Sequence, residues 1–550
     1  MEKKRKYYNK RLIVFGIFAT MIFVLLGVRL YYIQIYKGQK FSEMALMQRS
    51  KEISLYPKRG IIFDKNLEPL TNVDTTTKLI IPKSIINKNK DIYDLVSKHT
   101  TLSNSEFYKL LHSNEYLLQI PVDEEFYIED KPSSIFFAEV VDRYKKKNTL
   151  SHVIGYINKA ENTGETGLER VYDEYLKIND KKSLIIEYDK SRTIVLNGTE
   201  YVNELSDVNN PSGVKLSIDS KIQNIVEKTL DENNIKGSVI IAEVDTGKIL
   251  SMASRPNFNQ DNIQEYLNNN EMALYNKAIQ VGYPPGSIFK VVVLLAALES
   301  ETDFINRDFY CDGFEEINNV KISCTSKHGE INLEDAFANS CNSAFIQIGK
   351  EIGGKKIIDL AKRLGFGNKI NIGLVEEIEG NLPKGNSLLG PAIGNISIGQ
   401  GEIEATPLQI TNLLMIIANN GVQKHLTLIE GVTNKEGKIL KEYNKEPDVP
   451  VISSTISNIA YDYLISVVKN GTGRYMDVAS IGGAGGKTGS AEAIFHKEHT
   501  IHGWFSGFYP VKNPKYVITV LVENGGSGSK SAAPIFEKIS KEINKIYPVY

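Results

Sequence analysis

Tyr283-Pro284-Pro285-Gly286-Ser287-Ile288-Phe289-Lys290 runs without a break into Val291–Leu298, a stretch that is apolar at every position. A helix that is hydrophobic all round is a buried one, and two prolines and a glycine ahead of it fix a turn. The pattern therefore predicts a buried helix with Ser287 at its N-terminus and Lys290 one turn further along the same face. A serine hydroxyl is a poor nucleophile until a base takes its proton, and a lysine whose pKa is lowered by burial can take it. The helix N-terminus adds positive potential and N–H donors that suit a developing oxyanion. A capping serine with an unrelated lysine satisfies the same short pattern, so Ser-x-x-Lys alone does not decide the chemistry.

Two clusters downstream do. Ser340-Cys341-Asn342 follows the helical segment Leu333–Asn339, and Gly485-Gly486-Lys487-Thr488-Gly489-Ser490 precedes a strand-like stretch. In this order they form the S-x-x-K, S-D-N and K-T-G set of the active-site serine acyltransferases, with Cys341 where the lactamase form has aspartate. On these residues the chain resembles a class B, monofunctional penicillin-binding protein over most of residues 37–545. Leu216-Ser217-Ile218-Asp219, Ser397-Ile398-Gly399-Gln400-Gly401 with Ala405-Thr406-Pro407, and His502-Gly503-Trp504-Phe505 are similar to that family as well. Arg59-Gly60 and Gly167-Leu168-Glu169 resemble its pedestal region.

The resemblance implies an α+β transpeptidase domain of the penicillin-binding and serine β-lactamase kind, an antiparallel sheet sandwiched by helices. That domain would stand on an elongated N-terminal pedestal with one transmembrane helix. It further implies that Ser287 attacks a D-alanyl-D-alanine peptide and expels D-alanine, that Lys290 takes the serine proton, and that Ser340 relays a proton to the leaving amine. Asn342 would hold the substrate amide and orient Lys290. Lys487 would attract the substrate carboxylate, with the hydroxyls of Thr488 and Ser490 assisting and the N–H groups of Ser287 and Ser490 forming the oxyanion hole. Gly485, Gly486 and Gly489 lack side chains, which suggests that a peptide lies close against that strand edge. Stem peptides of peptidoglycan and β-lactams are the implied ligands, and no cofactor is required for the acyl transfer.

The residues themselves support the α+β class. Val214–Ile218 alternates as a strand, Asp219-Ser220 caps a helix, and Gly237–Val244 returns through Asp245-Thr246-Gly247-Lys248 into Ile249–Ala253 as a hairpin. The chain has 550 residues, beyond one usual core, with 42% hydrophobic and 24% charged residues. A formal net charge of -1 gives no field that would recruit nucleic acid. Lys3, Lys4, Arg5, Lys6, Lys10 and Arg11 precede the uncharged run Leu12–Val28, which continues past Arg29. The run is near the lower limit for spanning a bilayer, and a cleaved signal peptide is the alternative. The apolar region is long and no small-x-small cleavage site follows, so an uncleaved anchor is expected, with the flanking cations placing the N-terminus in the cytoplasm and the rest outside. The expected organisation is a basic tail (1–11), an anchor (12–35), a pedestal for dimerisation or partners (36–210) and a transpeptidase domain (211–550). The turn cluster Asn209-Asn210-Pro211-Ser212-Gly213 marks the last boundary. With no glycosyltransferase region ahead of the pedestal, a separate, SEDS-type glycosyltransferase is the expected partner.

Cys311, Asp312, Cys324 and His328 supply two thiolates, a carboxylate and an imidazole, enough for a tetrahedral zinc site. In an exported domain a Cys311–Cys324 disulfide is an alternative, and two free thiols are another. Cys341 reads as a small packing residue. His496, His499 and His502 read as a solvated loop, because no cysteine or carboxylate pattern accompanies them. Arg59 has two readings, a buried ion pair or partner contact and a solvated turn. Competing functions are a D,D-carboxypeptidase, which hands the acyl group to water, a β-lactamase, a penicillin sensor and a structural scaffold. No glutamate stands out to activate water for a lactamase, and a scaffold needs none of Ser287, Lys290, Ser340 and Lys487.

Overall fold

The computed structural model describes residues 2–129, 132, 134–178, 181–188, 194–204, 207, 209–267, 271–495 and 498–549. The chain divides into two compact units, one of Met1–Pro57, Thr75–Asp142 and Asn179–Leu205, the other of Lys58–Asp74, Arg143–Ile178 and Ser206–Tyr550.

The first unit begins with helix α1 (Glu2–Tyr31). Tyr7–Tyr36 contains an 18-residue window of mean hydropathy 2.4, none of it buried, and is long and apolar enough to cross a membrane. Beyond it, Thr75–Pro82 pairs antiparallel with Leu117–Pro121 on one side and Phe136–Val141 on the other. Alternation along these strands sends Leu79, Ile81, Leu118 and Ile120 to one face, where Ile92, Val96, Phe107 and Leu111 of two short helices cover them. Asn89 and Ser103 cap those helices, Ser103 in a full capping box with Glu106. Ser50–Ser54, Lys181–Tyr188 and Ile194–Glu204 form a second antiparallel sheet.

The second unit is built on a five-stranded antiparallel sheet: β1 (Gly237–Glu243), β2 (Ile249–Arg255), β3 (Gly485–Phe495), β4 (Glu498–Tyr509) and β5 (Tyr516–Val522), in the order β2-β1-β5-β4-β3. β3 is an edge strand. Both faces are covered, which is why Val239–Ala242 in the middle of β1 is apolar at every position. Val239 and Ile241 pack with Ile222, Val226 and Leu230 of α2 (Ser220–Glu232) and with the C-terminal helix Ala532–Ile546. Ile240 and Ala242 face the opposite way, into a larger core with α3 (Lys290–Leu298) and Pro407–Ala418. Asp219 caps α2 as its position predicts, accepting from the N–H groups of Lys221 and Ile222.

Residues 58–74 and 143–178, which fall within the stretch assigned to the pedestal, pack in this second unit. Ile61–Phe63 pairs parallel with Gly213–Leu216. The chains approach so closely there that a Cβ on Gly60 would lie 1.6 Å from the Ser212 carbonyl oxygen. The adjoining Arg59 is a buried ion-pair residue and not a solvated turn. Its Nε donates to Glu169 at 2.7 Å, and Arg143 Nε donates to the other carboxylate oxygen at 2.7 Å. Arg59 also pairs with Asp173.

Candidate active site

Gly286–Phe289 is a 3₁₀ turn that feeds directly into α3, so Ser287 sits on the turn and Lys290 begins the helix. Gly286 adopts a φ of +54°, and its N–H donates to the Gly399 carbonyl. Tyr283 exchanges backbone hydrogen bonds with Ala405, and Trp504 Nε1 donates to the Pro284 carbonyl at 3.1 Å. The Ser397–Gly401, Ala405–Pro407 and His502–Phe505 stretches thus hold the nucleophile's turn in place.

Lys290 is fully buried. Its ammonium donates to the Ser340 carbonyl at 2.7 Å, to Ser340 Oγ at 3.2 Å and to Asn342 Oδ1 at 2.7 Å. Burial lowers its pKa to about 8, although the neighbouring Cys324 and Cys341 act the other way. Lys487, equally buried, donates to Ser340 Oγ at 3.0 Å and to the Thr488 carbonyl at 3.2 Å. Burial holds its pKa well below the usual lysine range, and the charge of Lys290 pushes in the same direction. Two lysines from opposite ends of the domain therefore converge on one hydroxyl. Ser340 occupies a left-handed conformation, φ +58°, at the end of the helix Leu333–Ala338. For a residue other than glycine this costs on the order of 1 kcal/mol, and such strain clusters at functional sites.

The site contains a residue that the motifs do not name. Thr472 Oγ1 lies 2.6 Å from Thr488 Oγ1, and its N–H donates to the Ala338 carbonyl. The available signal is Gly471-Thr472-Gly473 just past the helix Ser454–Lys469; a Cβ on Gly471 would meet the Ala338 carbonyl oxygen at 2.1 Å.

The missing side chains of the β3 glycines make room for the protein's own atoms. A Cβ on Gly485 would strike the Phe508 ring at 2.4 Å, and one on Gly486 the Phe505 ring at 2.7 Å. On Gly489 it would meet the Pro285 carbonyl oxygen at 3.0 Å and the side chains of Ile288 and Trp504 at 3.1 Å. Gly489 therefore lets β3 press against the Ser287 turn.

The cysteine cluster departs from the predicted ligand set. Cys311, Cys324, His328 and Cys341 bring one donor atom each within 4.8 Å of one another, and all three thiols are free. Asp312 is not among them; its carboxylate is half exposed and pairs with Lys327. Cys341, read as packing, takes the fourth place. His328 Nδ1 lies 3.5 Å from Cys311 Sγ and 3.7 Å from Cys324 Sγ, and the sulfurs of Cys324 and Cys341 are 3.9 Å apart. Tetrahedral zinc with sulfur at ~2.3 Å and nitrogen at ~2.0–2.1 Å spaces its donors by about 3.5–3.8 Å, so the donor set fits the ion. The Asn342 N–H donates to Cys324 Sγ at 3.2 Å, in keeping with the N–H donors that surround metal thiolates.

The histidine stretch is not a loop. His499 and His502 lie on β4, opposite Ile494 and Ala491 of β3, and His502 is buried. His496 falls outside the described residues.

Comparison with known proteins agrees with this arrangement. The penicillin binding protein transpeptidase domain matches residues 237–541, and the penicillin-binding protein dimerisation domain matches residues 54–205. Stage V sporulation protein D of Bacillus subtilis is 29% identical over 97% of this chain and 85% of its own length. Peptidoglycan D,D-transpeptidase FtsI of Buchnera aphidicola is 28% identical over 99% of this chain and 96% of its own. Among solved structures, penicillin-binding protein PBP2 of Helicobacter pylori superposes with a TM-score of 0.69 at 23% identity, covering 91% of this chain and all of that one.

Proposed function

This chain belongs to the class B penicillin-binding proteins, a transpeptidase domain preceded by a dimerisation-type domain, and from that membership we propose that it cross-links peptidoglycan through a Ser287 acyl-enzyme. The convergence of Lys290 and Lys487 on Ser340 Oγ, beside the Ser287 turn, carries the assignment of roles.

Lys290, with a pKa near 8, accepts the Ser287 proton as Oγ bonds to the carbonyl carbon of the penultimate D-alanine of a D-alanyl-D-alanine peptide. The N–H groups of Ser287 and Ser490 receive the oxyanion, a contribution of ~3–4 kcal/mol when one donor is removed. Ser340 Oγ passes a proton to the leaving D-alanine nitrogen and takes its replacement from the Lys290 ammonium, and the carbon–nitrogen bond breaks. Lys487, Thr488 and Thr472 hold the substrate's terminal carboxylate, and Asn342 holds its amide and Lys290. An amine from a neighbouring stem peptide then attacks the ester carbonyl and gives its proton to Lys290, which passes it to Ser287 Oγ as the ester carbon–oxygen bond breaks, so that both Ser287 and Lys290 end as they began. A β-lactam enters by the same acylation step. Ser287→Ala abolishes covalent labelling by a fluorescent penicillin; retained labelling refutes the assignment. Turnover of a stem peptide in the presence of an amine acceptor gives cross-linked product, whereas release of the free acid alone identifies a carboxypeptidase.

Helix α1 anchors the chain in the membrane by a single pass, with the basic N-terminus in the cytoplasm and the transpeptidase unit outside. Glycan polymerisation falls to a separate glycosyltransferase of the SEDS type. Acyl transfer needs no cofactor. Cys311, Cys324, His328 and Cys341 hold a structural zinc ion that braces the segment carrying Ser340 and Asn342. One equivalent of zinc in the purified protein, lost on Cys324→Ser, is the expected result; a metal-free protein two daltons light is a disulfide instead.

A further inference from the structure

Lys277, Tyr283 and Glu523 form a buried polar cluster that none of the acyl-transfer steps uses. Glu523 directly follows β5, the middle strand of the five-stranded sheet, and its N–H donates to the Lys236 carbonyl just ahead of β1. One of its carboxylate oxygens accepts from the Lys277 ammonium, and the other accepts from the Tyr283 hydroxyl at 2.6 Å.

A buried ion pair is a poor source of stability. Its desolvation offsets much of its attraction, and two apolar residues of similar volume often serve as well or better. What an ionised carboxylate does supply is a strong acceptor in a fixed place, since a hydrogen bond to it is shorter and stronger than one to a neutral oxygen. Lys277 lets that carboxylate stay ionised in the core. Burial drives the Tyr283 pKa well above the usual tyrosine range, and the Glu523 charge pushes the same way, so the phenol keeps its proton and donates.

The bond matters because of where Tyr283 stands. Tyr283, Pro284 and Pro285 lead into Gly286 and Ser287, and each meets a different strand. Tyr283 is tied to the end of β5 through Glu523. The Pro284 carbonyl accepts from Trp504 Nε1 of β4 at 3.1 Å. The Pro285 carbonyl oxygen lies against β3, 3.0 Å from where a Cβ on Gly489 would be. The three contacts step from the centre of the sheet to its edge and set the turn down beside Ser490. The Tyr283 backbone pairs with Ala405, which lies outside the sheet, so Glu523 is what refers Tyr283 to the middle strand. The Tyr283 ring stands edge-on to His502 and Trp504, with ring centres 5.4 and 6.1 Å apart. A phenylalanine would keep those ring contacts and lose the tie to β5.

We propose that Glu523 is a positioning residue for the Ser287 nucleophile, an inference that rests on the acyl-enzyme reading above. Held by Lys277, it fixes the Tyr283 hydroxyl and, through it, the register of the nucleophile's turn against the sheet. It touches no reacting atom.

The test separates binding from acylation. Stopped-flow labelling of the full-length protein with a fluorescent penicillin gives the dissociation constant of the first complex and the rate constant of acylation. A misplacement of about 1 Å costs about 100-fold in rate, and loss of one of the three ties should displace the turn by roughly half of that. Tyr283→Phe, and the paired replacement K277M/E523L that leaves neither charge behind, should each slow acylation by about tenfold, with the dissociation constant within about twofold of wild type. Both remove the same tie, so the triple variant should be slower than either by no more than about twofold. Acylation within about twofold of wild type in Tyr283→Phe overturns the inference, whatever the melting temperature. So does a triple variant whose losses multiply to about 100-fold, or a loss confined to the dissociation constant. If the paired replacement does not fold, Tyr283→Phe decides alone. Failure of the parent reading is distinguishable, because a fluorescent penicillin then leaves the wild type itself unlabelled.

Discussion

Gly489→Ala isolates what holds the catalytic strand against the nucleophile. The new methyl group would sit 3.0 Å from the Pro285 carbonyl oxygen and 3.1 Å from both the Ile288 and the Trp504 side chains. Ordinary van der Waals contact begins near 3.4–4 Å, so three neighbours must each yield by several tenths of an ångström. None yields readily. The carbonyl belongs to the turn itself, Ile288 is completely buried next to Ser287, and Trp504 is completely buried with its Nε1 bonded to the Pro284 carbonyl. The relief available is for β3 to move away from the turn at the edge of its sheet. Overpacking of this kind costs about 1–3 kcal/mol of stability. Catalysis should suffer more, because Ser490, the next residue, carries an oxyanion donor. Complete loss of such a donor costs about 10²–10³ in rate, and a displacement of several tenths of an ångström forfeits part of that. Acylation by a fluorescent penicillin, followed by stopped time course, should slow by about 10- to 100-fold in a protein that remains folded at 25 °C. Acylation within twofold of wild type would refute the argument that β3 and the turn form one rigid unit.

Three further outcomes follow from buried charge. Glu169→Ala leaves the guanidinium groups of Arg59 and Arg143 facing each other with one carboxylate fewer, which costs about 3–5 kcal/mol. Spread over a unit of roughly 400 residues this lowers the melting temperature by about 4–6 °C, and an unchanged transition would count against the network. Acylation should rise about tenfold from pH 7 to pH 9 and then level off, because Lys290 acts as a base only when neutral and its pKa lies near 8; a log-linear rise continuing beyond pH 9 would indicate an ordinary lysine. His152 is buried, with its pKa lowered to about 3 by burial, so the unfolded chain binds a proton between pH 3 and 6.5 that the folded chain does not. Its contribution is complete above pH 6.5 and is lost as pH falls, by about 2 kcal/mol at pH 5, a loss that urea titration should show in wild type and not in His152→Gln.

The fold was legible where a local pattern forces one outcome. The apolar run Val291–Leu298 after a Pro-Pro-Gly turn has nowhere to go but a core, and Asp219 before an amphipathic segment is a cap in the structure as in the sequence. The three motifs were legible because their order and residue types are shared by a family. What sequence order conceals is where side chains point. Asp312 follows Cys311 immediately after the strand Asp308–Cys311; successive side chains there alternate, so Cys311 is buried while Asp312 faces solvent and finds Lys327. Thr472 is distant in sequence from Thr488 and carries no pattern of its own beyond two glycines. The glycines of β3 were correctly read as points of close approach, yet only the packing shows that Phe505, Phe508 and Pro285 make that approach.

The middle motif shows how one substitution can serve two structures. An aspartate before Asn342 would be a strong N-cap for the helix Asn342–Ile352. Cys341 occupies that position and still accepts from the Ala344 N–H at 3.5 Å, a weaker contact of the same kind. The thiol also turns towards Cys324, 3.9 Å away, and so joins the cluster with Cys311 and His328. Asn342 on its other side is tied twice to the end of the hairpin formed by Phe314–Ile317 and Val320–Ser323, by its N–H to Cys324 Sγ and by Nδ2 to the Ser323 carbonyl at 2.9 Å. Ser340, strained at positive φ, is therefore held from two directions: by the ammonium groups of Lys290 and Lys487 on the catalytic side, and by the thiol cluster through its neighbour. The strength of the helix cap is reduced in exchange for a non-covalent link, through the Cys341 thiol and the Asn342 hydrogen bonds, between the proton relay and the Ser323-Cys324 segment. The position of Ser340 Oγ, on which both lysines converge, is accordingly set in part by residues that touch no substrate.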